Sequence, residues 1–206
     1  MVSQDALVPR GRAGARPGTN PITAHGASAG VLKPGDAAPD FVLKDGDGKD
    51  LRLSSLSGRP IVLFFYPKDH TPGCTIQAKG LRDHYDEIKG HGAVVVGVSL
   101  DPVDKHHEFS EDCGLPFPLA SDPEGRVHDL YDAWRTTLLG RSSFGVRRCT
   151  FIIDGDGIIY EVYRNVNVFG HAKQVLKDLE RLKAQKSWGQ GAGVARKDAA
   201  EPPRAR

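Results

Sequence analysis

The feature that most constrains the fold is an apolar run, Ile61–Tyr66, followed by a Pro- and Gly-containing loop and a helical pattern that reaches about Lys89. A continuous apolar run of this length predicts a strand buried on both faces. The loop brings Cys74 to the first turn of the helix. Helix N-termini have unpaired N–H groups and favour negative charge. Because the thiolate is the reactive form of cysteine, this position predicts a reactive thiol rather than a small buried cysteine in a turn.

Elsewhere in the chain, strand patterns alternate with helical ones, which predicts a single α/β domain with sites beyond the carboxyl ends of its strands. Short apolar runs around a Gly/Asp cluster predict an N-terminal β-hairpin. The predicted elements are strands at 41–43, 51–53, 60–66, 93–99, 117–120, 149–153 and 158–163, helices at 75–89, 104–113, 124–131 and 171–183, and a polar loop at 138–146.

The 206 residues suffice for one domain with a sizeable core and two tails. Gly, Ala, Pro and Arg dominate residues 1–32, and residues 185–206 are similar, so both are predicted to be flexible tails around a domain at 33–184. The net charge of +2 without a basic stripe predicts no nucleic-acid partner. No apolar run is long enough to predict a membrane span.

Cysteine usage indicates a reducing compartment. The three cysteines, Cys74, Cys113 and Cys149, are too few and too scattered for a disulfide framework. A cytoplasmic location is therefore predicted, with organelle targeting by the N-terminal tail as the alternative.

The loop itself contains the pattern Pro-x-x-x-Thr-x-x-Cys, formed by Pro67, Thr71 and Cys74. This pattern resembles the motif of peroxiredoxins, members of the AhpC/TSA superfamily. The sequence from Phe65 to Thr75 is especially similar to that of the bacterioferritin comigratory protein or PrxQ branch. The resemblance extends collinearly to about Lys183. It implies a thioredoxin-like fold, with a central mixed β-sheet flanked by helices, and a thiol-specific peroxidase for hydrogen peroxide and organic hydroperoxides.

Peroxide reduction requires a deprotonated sulfur, donors for the peroxide oxygens and in-line alignment. The resemblance implies that Cys74 is the peroxidatic cysteine, that the Thr71 hydroxyl bonds the sulfur and the peroxide, and that Pro67 shields the sulfur from water. Backbone N–H groups at Gly73 and Cys74 are expected to bind the reacting oxygen. Gln77, one helical turn after Cys74, either borders the pocket or is an ordinary surface residue.

An arginine is needed beside the sulfur, and Arg147 and Arg148 are both available. Strand alternation predicts that they face opposite sides. The family register, with Arg three residues before a Phe-Ile-Ile-Asp run, selects Arg148. Cys149 would then face away from the site as a core thiol.

The sulfenic acid formed on Cys74 must be reduced again. Many members of the branch carry a resolving cysteine five residues after the peroxidatic one, where this chain has Lys79, and others carry it at a position matching Ser110. Cys113 lies one helical turn beyond Ser110, which makes it the candidate resolving cysteine. If Cys113 is inert, the enzyme is a 1-Cys peroxiredoxin resolved by an external thiol.

The expected partners are a hydroperoxide and a thiol reductant such as thioredoxin, with the chain a monomer or weak homodimer. No cofactor is expected. Metal sites built on His70 and His84, or on His106 and His107, lack a zinc spacing, and the histidines are otherwise predicted to lie on the surface. The alternatives are a dithiol-disulfide oxidoreductase, disfavoured because no Cys-x-x-Cys includes Cys74, and a non-enzymatic holdase.

Overall fold

A computed structural model describes residues 31–137 and 140–185 of this protein, and for 136, 137 and 140–144 it describes the backbone alone. The strands are β1 Val42–Asp45, β2 Asp50–Arg52, β3 Ile61–Phe65, β4 Val94–Ser99, β5 Leu119–Ser121, β6 Trp134–Thr137, β7 Gly140–Val146, β8 Cys149–Ile153 and β9 Ile159–Tyr163. The helices are α1 Pro72–Asp83, α2 Tyr85–Gly90, α3 Val103–Cys113, α4 Arg126–Leu130 and α5 His171–Gln185, with a 3₁₀ turn at Leu53–Leu56.

Seven strands form one mixed sheet in the order β2-β1-β5-β4-β3-β8-β9. The parallel pairs β3–β4 and β4–β5 lie at its centre, and antiparallel strands complete both sides. The α/β class, the thioredoxin-like mixed sheet and the N-terminal hairpin are thereby confirmed.

Side-chain alternation along the central strands divides the core between the two faces of the sheet. One face carries Phe64 and Tyr66 and is covered by α1, α2, α3 and α5. The other carries Leu63 and Phe65 and packs against the N-terminal segment and α4. Both faces of β3 are buried, as its continuous apolar run predicts.

Two local predictions were wrong. The segment predicted as a polar loop contains β7, which pairs with β6 in a separate two-stranded sheet. Ile76, predicted on the apolar stripe of the first helix, is 38% exposed. The buried stripe instead follows Cys74 at helical spacing through Ala78 and Leu81, and the helical segment is divided at His84 into α1 and α2.

The predicted tails fall mostly outside the described residues, and the boundaries at 33 and 184 stay predictions. Among the described helices, none combines the length and apolar character needed to cross a membrane.

Candidate active site

The start of α1 holds Cys74 at the carboxyl end of β3. Thr71 is the N-cap residue, Pro72 is the first helical residue, and the first helical hydrogen bond runs from Thr75 N to Thr71 O at 2.9 Å. The N–H groups of Gly73 and Cys74 precede that bond and have no partner among the described residues. These N–H groups lie in the first turn of the helix together with Cys74, which is 1% exposed.

Sheet topology brings Arg148 to this point. Phe65 at the end of β3 is paired with Cys149 at the start of β8, so the residue before Cys149 lies beside the loop that follows Phe65. Arg148 Nη2 donates to Cys74 Sγ at 3.2 Å. A guanidinium cation thus contacts the sulfur directly, an arrangement that stabilises a thiolate.

Gly73 makes this approach sterically possible. A Cβ atom at position 73 would lie 3.3 Å from Arg148 Nη2, tighter than an ordinary contact. A side chain at this position would therefore press on the arginine that contacts the sulfur.

Gln77 is hydrogen-bonded to the other terminal nitrogen of the same guanidinium. Its Oε1 accepts a hydrogen bond from Arg148 Nη1 at 2.6 Å, and its side chain is 1% exposed. Gln77 Nε2 is buried with no hydrogen-bond partner among the described residues. Of the two interpretations left open by the sequence, the structure supports the buried residue at the site rather than the surface one.

Thr71 and Pro67 lie in the loop, but the expected bond between the Thr71 hydroxyl and the sulfur is not formed. Thr71 Oγ1 instead donates to the Lys68 carbonyl at 3.0 Å. With its proton engaged there, the hydroxyl oxygen keeps its lone pairs for accepting a hydrogen bond. Pro67 is half-buried and lies two residues after the end of β3.

The prediction that Arg147 and Arg148 face opposite sides of a strand rested on strand alternation. Both residues precede β8 in an irregular segment, where the two-residue alternation of a strand does not apply. Together with Arg135, Asn165 and Asn167, they line a cavity of about 550 Å³.

The other two cysteines lie on opposite faces of the sheet. Cys113, the last residue of α3, belongs to the same core as Cys74, and its carbonyl accepts a hydrogen bond from Arg82 Nη1 of α1 at 2.6 Å. Cys149 belongs to the core on the other face, where burial raises the pKa of its thiol to about 12. All three cysteines are free.

Sequence reasoning missed the buried histidines. His106, His128 and His171 are at most 3% exposed, so the prediction of surface histidines was wrong for them. His106 contacts Asp69 of the loop at 66–74 that leads from β3 to Cys74, hereafter the Cys74 loop. The only sequence signal was an acidic residue within the loop, because the partner lies 37 residues away. The described residues contain no cluster of three or more His, Cys, Asp or Glu side chains able to hold a metal ion.

Comparisons with known proteins identify the family of the chain. The AhpC/TSA family profile matches residues 34–162. A putative peroxiredoxin Bcp of Helicobacter pylori is 42% identical over 149 residues, covering 72% of this chain and 98% of that protein.

Solved structures similar to this chain are also peroxiredoxins. Peroxidoxin BcpB of Mycobacterium tuberculosis superposes with a TM-score of 0.67 at 38% identity, covering 73% of this chain and 98% of that one. The bacterioferritin comigratory protein of Xanthomonas campestris, studied for its alkyl peroxide reduction activity, has a TM-score of 0.67 at 32% identity, covering 71% of this chain and 99% of that one. The chain belongs to the AhpC/TSA family and is a peroxiredoxin of the Bcp/PrxQ kind.

Proposed function

We propose that this thiol peroxidase reduces hydrogen peroxide and alkyl hydroperoxides through Cys74 as its peroxidatic cysteine. The observation that carries the proposal is the contact of 3.2 Å between Arg148 Nη2 and Cys74 Sγ at the start of α1. Among the three cysteines, Cys74 alone combines a helix N-terminus with a guanidinium bonded to its sulfur.

In the chemical step, the Cys74 thiolate attacks one peroxide oxygen in line with the O–O bond. The S–O bond forms as the O–O bond breaks, and the leaving oxygen departs with the electron pair as alkoxide or hydroxide and takes a proton to give alcohol or water. Cys74 becomes a sulfenic acid, so sulfur is oxidised and peroxide is reduced by two electrons.

The surrounding groups stabilise the charge that moves in this step. The N–H groups of Gly73 and Cys74 and the Arg148 guanidinium donate to the peroxide oxygens as negative charge develops on them. The Thr71 oxygen accepts the hydrogen bond of the hydroperoxide O–H, because its own proton is engaged by Lys68. Gln77 fixes the guanidinium.

Pro67 is assigned to cover the sulfur on the loop side. Its half-buried position in the loop that follows β3 supports this role. The Gln77 Nε2 group, buried without a described partner, is available to donate to a bound substrate oxygen.

Cys113 is proposed as the resolving cysteine. Its place in the same core as Cys74 supports this assignment, whereas Cys149 lies on the opposite face. Burial raises the pKa of the Cys113 thiol, partly offset by Lys79 and Arg82. A disulfide brings its two Cα atoms within roughly 7 Å, and we expect the first turn of α1 to unwind locally before the bond forms.

The thiol reductant that restores Cys74 is proposed to be thioredoxin, acting on a monomer or weak homodimer in the cytoplasm, with residues 1–32 and 185–206 as tails. The dithiol-disulfide oxidoreductase alternative finds no support, because the positions three residues to either side of Cys74 are Thr71 and Gln77.

The test is hydroperoxide consumption with dithiothreitol as reductant. Cys74→Ser is expected to abolish turnover, because the serine hydroxyl is not ionised at neutral pH. Cys149→Ala is the matched control, since it removes a buried thiol on the other face of the sheet, and it is expected to keep turnover within about twofold. Full activity in Cys74→Ser would overturn the proposal.

Mass analysis of the wild-type protein after one equivalent of peroxide tests the resolving step. A loss of two mass units mapping to Cys74 and Cys113 is expected. A stable gain of 16 or 32 on Cys74, with Cys113 free, would show instead a 1-Cys enzyme that depends on an external thiol.

A further inference from the structure

A buried carboxylate fastens the Cys74 loop to α3. Asp69, in the middle of the loop, is 5% exposed. Its Oδ1 accepts a hydrogen bond from Tyr66 Oη at 2.7 Å, and its Oδ2 lies 2.7 Å from His106 Nδ1 on α3. With the carboxylate ionised, Nδ1 carries the proton and donates it. The side chain of one loop residue is thereby bound to the end of β3 and to a neighbouring helix.

The backbone of Asp69 is fastened as well. Its N–H donates to Asp101 Oδ2 at 2.9 Å, and the same Asp101 oxygen accepts from Ser99 Oγ at 2.7 Å. Asp101 lies between β4 and α3, so both anchors of Asp69 reach the start of the same helix. Tyr66 remains a donor because burial, reinforced by Asp69, raises the pKa of its hydroxyl well above the ordinary value.

The anchored loop contains an unfavourable backbone conformation. His70 has φ of +56°, in the left-handed region that side-chain-bearing residues rarely adopt. Its ring packs on Phe109 of α3 at 5.0 Å between centroids. A conformation of this kind persists only where its surroundings hold it. The adjacent Asp69 adds its restraints to the contacts that His70 itself makes with Phe109 and, at 3.7 Å, with Asp112 of α3.

The same face of α3 carries the candidate resolving thiol. The buried residues of that helix are His106, Phe109 and Cys113, spaced three and four apart. Loss of the contact between Asp69 and His106 would therefore weaken the attachment of the loop to the helix that carries Cys113, while the contact of His70 with Phe109 remains.

We propose that Asp69 and His106 are positioning residues that hold the Cys74 loop in its folded, peroxide-reactive shape and so determine how the Cys74 sulfenic acid divides between disulfide formation and overoxidation. This inference rests on the proposed function. In the first branch, the Cys113 thiol displaces the sulfenic oxygen, forming the S–S bond and releasing water. In the second, the sulfenic acid attacks another hydroperoxide, giving a sulfinic acid and an alcohol.

The two steps respond unequally to loosening of the loop. Disulfide formation is proportional to the small fraction of molecules with an open loop, whereas peroxide attack is proportional to the large fraction with a closed one. A variant that raises the open fraction about tenfold, from about 1% to about 10%, speeds resolution about tenfold and slows peroxide attack by only about a tenth.

The variants to compare are His106→Leu, which removes the donor, and His106→Asn, whose side-chain amide can restore a donor near the position of Nδ1. His107→Leu is the matched control, because His107 is the next residue of α3, is exposed, and is not hydrogen-bonded to the loop. Tyr66→Phe removes one donor to Asp69 while keeping the ring, and serves if His106→Leu does not fold.

Three readouts are taken: hydrogen–deuterium exchange of the segment 68–76 without peroxide, the ratio of sulfinic acid to disulfide on Cys74 as peroxide rises, and the rate of the first oxidation in a Cys113→Ser background. His106→Leu is expected to speed exchange about tenfold, lower the sulfinic fraction by a similar factor and leave the first oxidation within twofold. His106→Asn and His107→Leu should match the wild type, and Tyr66→Phe should shift in the direction of His106→Leu.

Wild-type exchange and wild-type sulfinic ratio in both His106→Leu and Tyr66→Phe would overturn the inference. The inference would also be overturned if His106→Asn changed exchange and the sulfinic ratio as much as His106→Leu does. If His106 only filled space, restoring a hydrogen-bond donor with asparagine would not restore wild-type behaviour. The exchange measurement needs no peroxide. A protein whose Cys74 does not react at all therefore refutes the proposed function while leaving the loop restraint separately testable.

Discussion

At the scale of single residues, the site depends on one guanidinium shared between two acceptors. Arg148 contacts the Cys74 sulfur with Nη2 and the Gln77 carbonyl oxygen with Nη1. The planar fork of arginine makes both contacts at fixed geometry, which the single ammonium of lysine does not. Gly73 leaves the room in which the fork lies.

Arg148→Lys is therefore expected to slow oxidation of Cys74 by hydrogen peroxide about 100-fold although the positive charge remains, by analogy with the loss of one preorganised donor. The measurement is the second-order rate constant under excess peroxide. Arg147→Lys is the matched control, because the neighbouring arginine lines the adjacent cavity without a bond to the sulfur, and it should stay within about threefold. Equal losses in the two variants would contradict the assignment of Arg148.

Only some of the side-chain positions at the site could be predicted from the sequence. Cys74 could be predicted from a short motif, and Arg148 from the register of the family that the chain resembles. The Thr71 hydroxyl was expected on the sulfur and instead donates to Lys68, a choice between nearby acceptors that a sequence pattern does not encode. The buried His106 has its partner, Asp69, in a segment 37 residues away, a pairing that a local sequence pattern does not reveal.

At the scale of elements, the strands and helices of the sheet could be predicted best, because period and turn signals are local. Strand order could not be predicted in the same way, because pairing of β3 with β8 joins residues more than 80 positions apart. The hairpin of β6 and β7 escaped prediction because its polar and glycine residues lack a strand pattern.

Two glycines illustrate how packing between elements determines the effect of a substitution on stability. Gly97 in β4 lies between Phe64 and Leu119, and a Cβ there would come within 2.7 Å of both side chains. Gly80 in α1 has open space at the same atom. Gly97→Ala should destabilise the protein by about 1–3 kcal/mol through overpacking, and Gly80→Ala should stabilise it by up to about 1 kcal/mol through helix propensity.

Urea unfolding of both variants, analysed with a shared m-value, measures these changes. The two substitutions add the same methyl group, so each is the control for the other. A shift of the same sign in both would show that space around the Cβ is not the deciding factor.

At the scale of the whole molecule, two cores lie on either side of one sheet, with Cys74 and Cys113 in one and Cys149 in the other. The Cys74 face also carries α5, whose first residue His171 lies 3.0 Å by its Nε2 from Thr150 Oγ1 of β8. His171 is buried, and its ring packs on Tyr163 of β9. It therefore joins the last helix to the last two strands, a contact invisible in the amphipathic pattern that predicted the helix.

Burial, with the Arg148 charge adding to it, lowers the pKa of His171 from its ordinary value of 6.5 to about 4. In the unfolded chain this histidine takes up a proton near pH 6.5, whereas the folded protein resists the proton until about pH 4. Unfolding is thus favoured progressively as the pH falls through this window. Between pH 7 and pH 5, we expect His171 to cost the folded state about 2 kcal/mol.

Urea unfolding at pH 7 and pH 5 checks this expectation. His171→Asn should lose about 2 kcal/mol less stability between the two pH values than the wild type does, even if it is less stable at pH 7 for want of the Thr150 contact. His107→Asn, which removes an exposed histidine, should keep the wild-type pH dependence. If His171→Asn loses as much stability between pH 7 and pH 5 as the wild type does, the acid sensitivity of the fold does not come from His171.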